Sequence, residues 1–289
     1  MCKYVLIFFL FTQFIFGKCE LLQKASNDIL SVDCSQNLIA YNDGKTLYIK
    51  EANSAKNLFD LKAGSDEISV VKIYDQNVIV GFDSGFAIQT NIKGFQETLL
   101  DPLKTGVFER VTSINLIKDK LIFTLGNSHI IIYDTINKIY KKSDISLNSK
   151  IIATKFINGS LFIACYDRNL YKFDLATLKQ SHILKASNLI TSIEELHQKP
   201  LIGLINGKLI YEQKIYDVTQ NQISALKVKD KNIYVGDSRS NLYIYDSDLN
   251  LKNKTKIGDD TIFGIFIENG GIVVLWNVTI FACDFNGIK

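Results

Sequence analysis

Seven side chains, one from each of seven similar segments, have types and spacing that could do chemistry: Asp33, Lys72, Asn115, Lys155, Glu194, Lys227 and Phe266. Lys72, Lys155 and Lys227 would attract an anion or a small polar ligand, with Asp33 and Glu194 as counter-charges. The same set also suits a simpler arrangement, a water-filled channel lined by compensating pairs. Reactive constellations are otherwise sparse. The three histidines, His129, His182 and His197, fall on separate segments with no shared position. No Ser-His-Asp set assembles from them, and there is no G-x-S-x-G elbow. Phosphate-cradling G-x-x-x-x-G-K-[ST] and G-x-G-x-x-G runs do not occur. With no C-x-x-C or paired His–Cys spacing, no metal and no cofactor are expected. Two apolar residues are candidates for a partner surface. Phe108 lies in the longest insertion, Leu99 to Arg110, whose apolar residues either pack on the rim or face a partner. Trp276, the single tryptophan, stands where other segments have a polar turn.

The seven polar positions sit two residues after a second column: Ser31, Val70, Ser113, Ala153, Ser192, Ala225 and Gly264. Each column belongs to a short apolar core, such as Ile68-Ser69-Val70-Val71 or Ile190-Thr191-Ser192-Ile193, recurring every 33 to 43 residues. Strands converging on a common axis require small groups there, because bulky ones would collide. That period marks a radial repeat, an all-β, seven-bladed β-propeller. A second apolar run follows each core, for example Val78-Ile79-Val80-Gly81 or Leu161-Phe162-Ile163-Ala164, suited to a strand buried on both faces. Turns rich in Asn, Asp and Gly come next, such as Asn42-Asp43-Gly44, where positive φ is expected. Third strands usually end in an aromatic residue and an acid, as in Tyr133-Asp134, Phe173-Asp174 and Tyr245-Asp246. Outer strands are more polar, as in Lys179 to Lys185, and no segment has a helical period. Four-stranded antiparallel blades follow.

The runs NIYVGDSRSNLYIYD (232–246) and SLFIACYDRNLYKFD (160–174) resemble WD40, YVTN and PQQ-like propeller repeats. The Trp-Asp pair of the WD family is replaced by Tyr-Asp, Phe-Asp or Cys-Asp, and its Gly-His pair is missing. Such a resemblance implies a rigid ring that displays loops. It also brings an alternative, a channel-mouth enzyme of lactonase-like or quinoprotein kind. Lysines dilute the carboxylate pattern of the former, and one tryptophan is few for the latter.

The chain ends bear on closure. After Asp284 too few residues remain for a fourth strand in the seventh blade, while Lys18 to Ser26 offer a spare one ahead of the first. Leu22 to Asn27 parallels Ile183 to Asn188 in the outer strand of blade 4. Pairing the N-terminal strand into the last blade removes two open edges, an arrangement common among the propellers the chain resembles. It would set Cys19 beside Cys283, where a disulfide is geometrically feasible and would stabilise by about 2–4 kcal/mol. Cys34 and Cys165 read as small buried hydrophobes on inner strands.

Residues 1–17 have the form of a cleaved secretory signal: Lys3, a 13-residue apolar run from Tyr4 to Phe16, then Gly17. That run would reach only about 20 Å, less than a hydrocarbon core. A retained signal-anchor is the rival reading. Residues 18–289 then form one propeller domain. The sequons at Asn158, Asn253 and Asn277, each at an expected turn or hairpin end, fit that compartment. A formal charge of +3 with both signs interspersed gives no basic face for nucleic acid. The reading that follows is a non-catalytic, monomeric propeller in the endoplasmic reticulum lumen or outside the cell, a scaffold within a protein complex. The channel-mouth enzyme and a luminal sensor or assembly subunit are the alternatives.

Overall fold

The computed structural model describes residues 19–24, 28–35, 37–126, 129–145, 147, 149–267 and 271–285. The expected leader, with Cys2, lies outside them. Seven four-stranded antiparallel sheets form the ring, six of them ordered along the chain from an innermost to an outermost strand and the seventh taking its outermost strand from the N-terminal segment. The innermost strands are Ser31–Cys34, Ile68–Tyr74, Val111–Ile117, Ile151–Ile157, Ile190–Leu196, Ile223–Lys229 and Ile262–Phe266. Their order around the ring defines blades 1 to 7.

Second strands such as Ser160–Cys165 are buried at every position, because both faces of each sheet meet a neighbour. The buried apolar residues accordingly form seven cores, one at every junction between adjacent blades. Blades 2 and 3 share Ile79, Leu121 and Phe123, for example. Blades 7 and 1 share Val274, Ile280, Ile39 and Tyr41. Each fully buried Ile, Leu or Phe contributes about 1.5–3 kcal/mol.

Six innermost strands carry a β-bulge between their first and third residues, which sharpens local twist. The extra residue is often a hydroxyl that closes on a carbonyl. Thr191 Oγ1 donates to Gly203 O at 3.1 Å. Ser69 Oγ donates to Val111 O of the next blade at 2.8 Å, and Ser224 Oγ does the same to Ile262 O at 2.7 Å. The inner column is close-packed at Gly264, where a Cβ would stand 2.7 Å from Phe266 Cε2 and 3.2 Å from Val32 Cγ1 of blade 1, and close approach also occurs one strand farther out. Val70 is tolerated in the inner column because it stands opposite Gly81 and packs against the core of blades 2 and 3. A Cβ at Gly236 would stand 2.6 Å from Ile262 Cγ2, and one at Gly81 2.7 Å from Val111 Cβ.

The ring closes through the N-terminal strand. Cys19–Gln23 pairs antiparallel with Ile280–Cys283, in register Cys19 to Cys283. Those two cysteines form a disulfide spanning 264 residues of sequence.

The structure adds detail to the expectations and corrects some of them. Positive φ occurs in the turns after second strands, at Gly44, Gly85 and Gly207 for example. It also occurs at Asp75, Lys118, Asn158, His197 and Asp230, in the tight hairpins joining first and second strands. The insertion contains one short helix, Pro102–Thr105, capped by Asp101, whose carboxylate accepts from Leu103 N at 3.0 Å. Cys165 is buried, and burial pushes its thiol up to about 12. Cys34, by contrast, is only half-buried and borders the channel, because it ends its strand. Asn253 lies within the outer strand Leu251–Lys256 rather than at a hairpin end.

Two outcomes follow from this packing. Replacing Cys19 and Cys283 together by serine should lower unfolding free energy by about 2–4 kcal/mol, read as a fall in the urea midpoint. Gly236→Ala, whose new methyl has no room beside Ile262, should cost about 1–3 kcal/mol in thermal or urea unfolding.

Candidate functional site

Two regions gather the residues singled out from the sequence: the axial channel and one face of the ring. Within the channel, five innermost strands bring their charged residues forward on the same side as the small column. Lys72 Nζ sits 3.0 Å from Asp33 Oδ2 in the neighbouring blade. The same oxygen accepts from Ile73 N at 2.8 Å. Lys155 pairs with Glu194 one blade on, and Glu194 Oε1 also accepts from Glu195 N at 3.0 Å. Asn115 Nδ2 donates to Thr154 Oγ1 at 2.9 Å. Two cations and two carboxylates thus cancel across blade junctions. The Lys227 side chain has no hydrogen bond or ion pair among the described residues and is half-buried. It borders a cavity of about 210 Å³ with Asp33, Cys34, Lys72 and Phe266. No cluster of three or more His, Cys, Asp or Glu side chains suited to a metal ion occurs among the described residues.

The second region is the face carrying the turns between second and third strands and the connections between blades. In six blades the residue just after the second strand donates its N–H to the carbonyl immediately before or beside the innermost strand. These donors are Asp83, Gly126, Tyr166, Ile205, Ser238 and Trp276. One backbone device therefore holds five different side chains and a glycine in equivalent places. Three of them are large and apolar at that exposed position: Tyr166 at 66% exposure, Ile205 and Trp276. Leu103 and Phe108, 80% and 66% exposed, rise from the insertion on the same face. Leu30, Phe86 and Ile152 add further exposed apolar surface at this end of the strands. Within the insertion Leu99, Leu100 and Val107 are buried, so its apolar residues divide between rim and surface. Trp276 is partly packed, its ring edge-on to Phe263 at 5.1 Å. Its carbonyl accepts from Ile29 N at 3.1 Å, which ties blade 7 to blade 1.

The turns of this face owe their shape to local hydrogen bonds that the sequence reading did not single out. Asp237, fully buried, accepts from Thr219 Oγ1 at 3.0 Å, Asn221 Nδ2 at 2.9 Å and Arg239 N at 2.8 Å. Asn241 adds its backbone N–H at 2.9 Å. Burial alone would raise the pKa of this carboxyl, but the hydrogen bonds from Asn221, Asn241 and Arg239 outweigh it and hold the value below the ordinary one. The signal was available as an Asp followed by Asn four residues later, with Thr219 and Asn221 just upstream of the sixth core.

On the opposite face, the acids ending third strands shape hairpins. Asp134 accepts from Asn137 N at 2.8 Å, Asp174 from Thr177 N at 2.7 Å and Asp246 from Asn250 N at 2.8 Å. Those backbone bonds lower all three pKa values. His197 lies on this face too, in a shallow cavity with Lys199, Tyr211 and Glu212. His129 contacts Glu109 in blade 3 and His182 faces Asn169 in blade 4, so the three histidines stay apart.

Among the sequons, Asn158 is exposed at a hairpin tip. Asn253 is half-buried beside Cys19 and Leu242. Asn277 Oδ1 accepts from Thr279 Oγ1 at 2.6 Å. No helix among the described residues is long and apolar enough to cross a membrane.

No family model and no curated protein matches the chain. Solved structures do: 1596 chains resemble it, so the fold is too widely shared to indicate a function. One is the crystal structure of a computationally designed protein, Ika8. It superimposes with a TM-score of 0.69 at 13% identity, covering 92% of this chain and 98% of that one. An identity that low shows the fold alone.

The buried Asp237 generates a pH dependence. Its folded pKa is depressed, so the stability it contributes is complete above the unfolded value near 4 and is lost as pH falls through the lower folded value. Asp237→Asn should cost about 2–3 kcal/mol at neutral pH. It should also flatten the acid limb of stability against pH, measured by urea unfolding at a series of pH values.

Proposed function

We propose that this chain is a non-catalytic, WD40-like propeller that binds a partner protein through the face bearing Leu103, Phe108, Tyr166, Ile205 and Trp276. The observation that carries the reading is the concentration there of large exposed apolar side chains on hydrogen-bonded turns. Exposed aromatic groups on rigid turns lose little entropy on binding and are favoured anchors. The partner surface would be apolar at its centre and polar at its rim, since Asp83, Arg110, Asp167 and Arg168 surround the patch. The WD40-like assignment is supported by the aromatic-acid pairs at Asp134, Asp174 and Asp246, which cap hairpins at the end of third strands.

The proposed setting is the secretory pathway, in the lumen or outside the cell. The signal-like residues 1–17 support it, as does a disulfide at the closure, which is stable in an oxidising compartment. Of the three sequons, Asn158 is the one we propose to carry a glycan. Asn253 faces into the blade, and Asn277 is engaged by Thr279.

The test is crosslinking capture of partners from the native cell, with variants on opposite faces. Phe108→Ser combined with Tyr166→Ser should cut capture by about tenfold or more at unchanged thermal stability. Phe95→Ser with Ile136→Ser, removing exposed apolar residues from hairpins of the other face, should leave it unchanged. Equal capture by both pairs would overturn the reading.

A further inference from the structure

The channel cavity is a site of a different kind from the apolar face. It lies among the later residues of the innermost strands of blades 6, 7, 1 and 2, toward the hairpin end of the ring, opposite the proposed partner surface. Asp33, Lys72, Lys227 and Phe266 line it, with Cys34 and Ser35. Its charge does not cancel. Asp33 is committed to Lys72 Nζ and to Ile73 N, at 3.0 and 2.8 Å. Lys227 has no acceptor among the described residues, although it is half-buried where an ammonium gains from one. Glu194, the carboxylate one blade back, is already engaged by Lys155 and Glu195 N. The ring therefore holds one cation more than it neutralises, next to an aromatic side chain in a cavity of about 210 Å³. That volume falls below the roughly 300–1,000 Å³ of drug-sized ligand sites, so it suits a small molecule.

We infer that this cavity binds a small organic monocarboxylate. Lys227 receives the carboxylate, Lys72 adds positive potential beside its partner Asp33, and Phe266 packs against the apolar part of the ligand. Charge selects the acid end, and the aromatic wall selects an organic acid over an inorganic anion. The inference does not depend on the proposed partner face, because none of these residues lies there.

Titration calorimetry with benzoate, and separately with inorganic phosphate, tests it on the intact oxidised protein. Saturable benzoate binding is expected, weakened about tenfold in Lys227→Met, which removes the charge but keeps an apolar side chain of similar length. Phe266→Leu should weaken benzoate binding and leave any phosphate binding unchanged. Lys229→Met, an exposed lysine on the same strand, should have no effect. Circular dichroism and urea unfolding establish that each variant is folded. Should Lys227→Met fail to fold, Lys227→Arg serves instead, and it should retain binding. No saturation up to about 50 mM benzoate, a constant far weaker than millimolar, would overturn the inference. So would unchanged affinity in a folded Lys227→Met, or phosphate binding tighter than benzoate.

Discussion

No blade of this ring has a core of its own. Each sheet is apolar on both faces, and each of the seven cores is shared between two neighbours. A stack of such sheets would always leave two apolar faces in water, at its first and last members. Only a closed circle covers them all. Closure is thus the constraint on which the rest depends, and it falls on the junction where the chain begins and ends. There the strand Cys19–Gln23 completes blade 7, Leu22 joins the core of blades 7 and 1, and the disulfide fixes the pairing covalently. The backbone bond from Ile29 N to Trp276 O adds a second tie at the same junction.

Closure in turn decides where function can reside. With both faces of every sheet covered, the surfaces left are the outer strands, the two sets of turns and the channel. The outer strands are polar and uneven. The turns are shaped by backbone hydrogen bonds that do not depend on the exposed side chain. At the residue after the second strand, Asp83, Gly126 and Ser238 occupy the same hydrogen-bonded place as Tyr166, Ile205 and Trp276. The shared bond does not require an apolar side chain there, so the largely exposed Tyr166 calls for another cause. Val278 shows the same freedom under greater strain: a β-branched residue at φ 59, where other blades have glycine, arginine or serine. Burial of its side chain in the core of blades 7 and 1 offsets that strain.

How much of this was legible in the residues follows from how local each signal is. Blade number, strand order and closure rest on a repeated apolar pattern and on a count of strands at the two ends, and both survive without knowledge of contacts. The disulfide was legible for the same reason: once the last two strands pair, Cys19 and Cys283 stand opposite each other. The bulge escaped notice because it changes register without changing composition. Its hydroxyls at Ser69, Thr112, Thr191 and Ser224 nonetheless recur in the sequence at the second position of four cores. The small inner column suggested crowding at the axis, which holds at Gly264 beside Phe266 and Val32. A second site of crowding, between blades, went unread: there Gly81, Gly203 and Gly236 admit the first residue of the next core. Asp237 was missed because its partners are spread over the connection at Thr219 and Asn221, the turn at Arg239 and the strand bearing Asn241 and Tyr243, and burial of a carboxylate is not visible in one letter.

The channel charges show what geometry adds to a list of residue types. Three lysines and two carboxylates in a ring of seven permit several pairings on paper. In the folded ring an ion pair forms only across one blade junction, which is the reach of these side chains: Asp33 with Lys72, and Lys155 with Glu194. Lys227 has two neighbours, Glu194 on one side and Phe266 on the other. Glu194 is taken from the opposite direction, and a phenyl ring carries no charge. With three lysines and two carboxylates one ammonium is left over, and the order of the residues around the ring decides which. The excess charge follows from composition and its place from order, and it falls beside Phe266, the one aromatic residue among these seven positions.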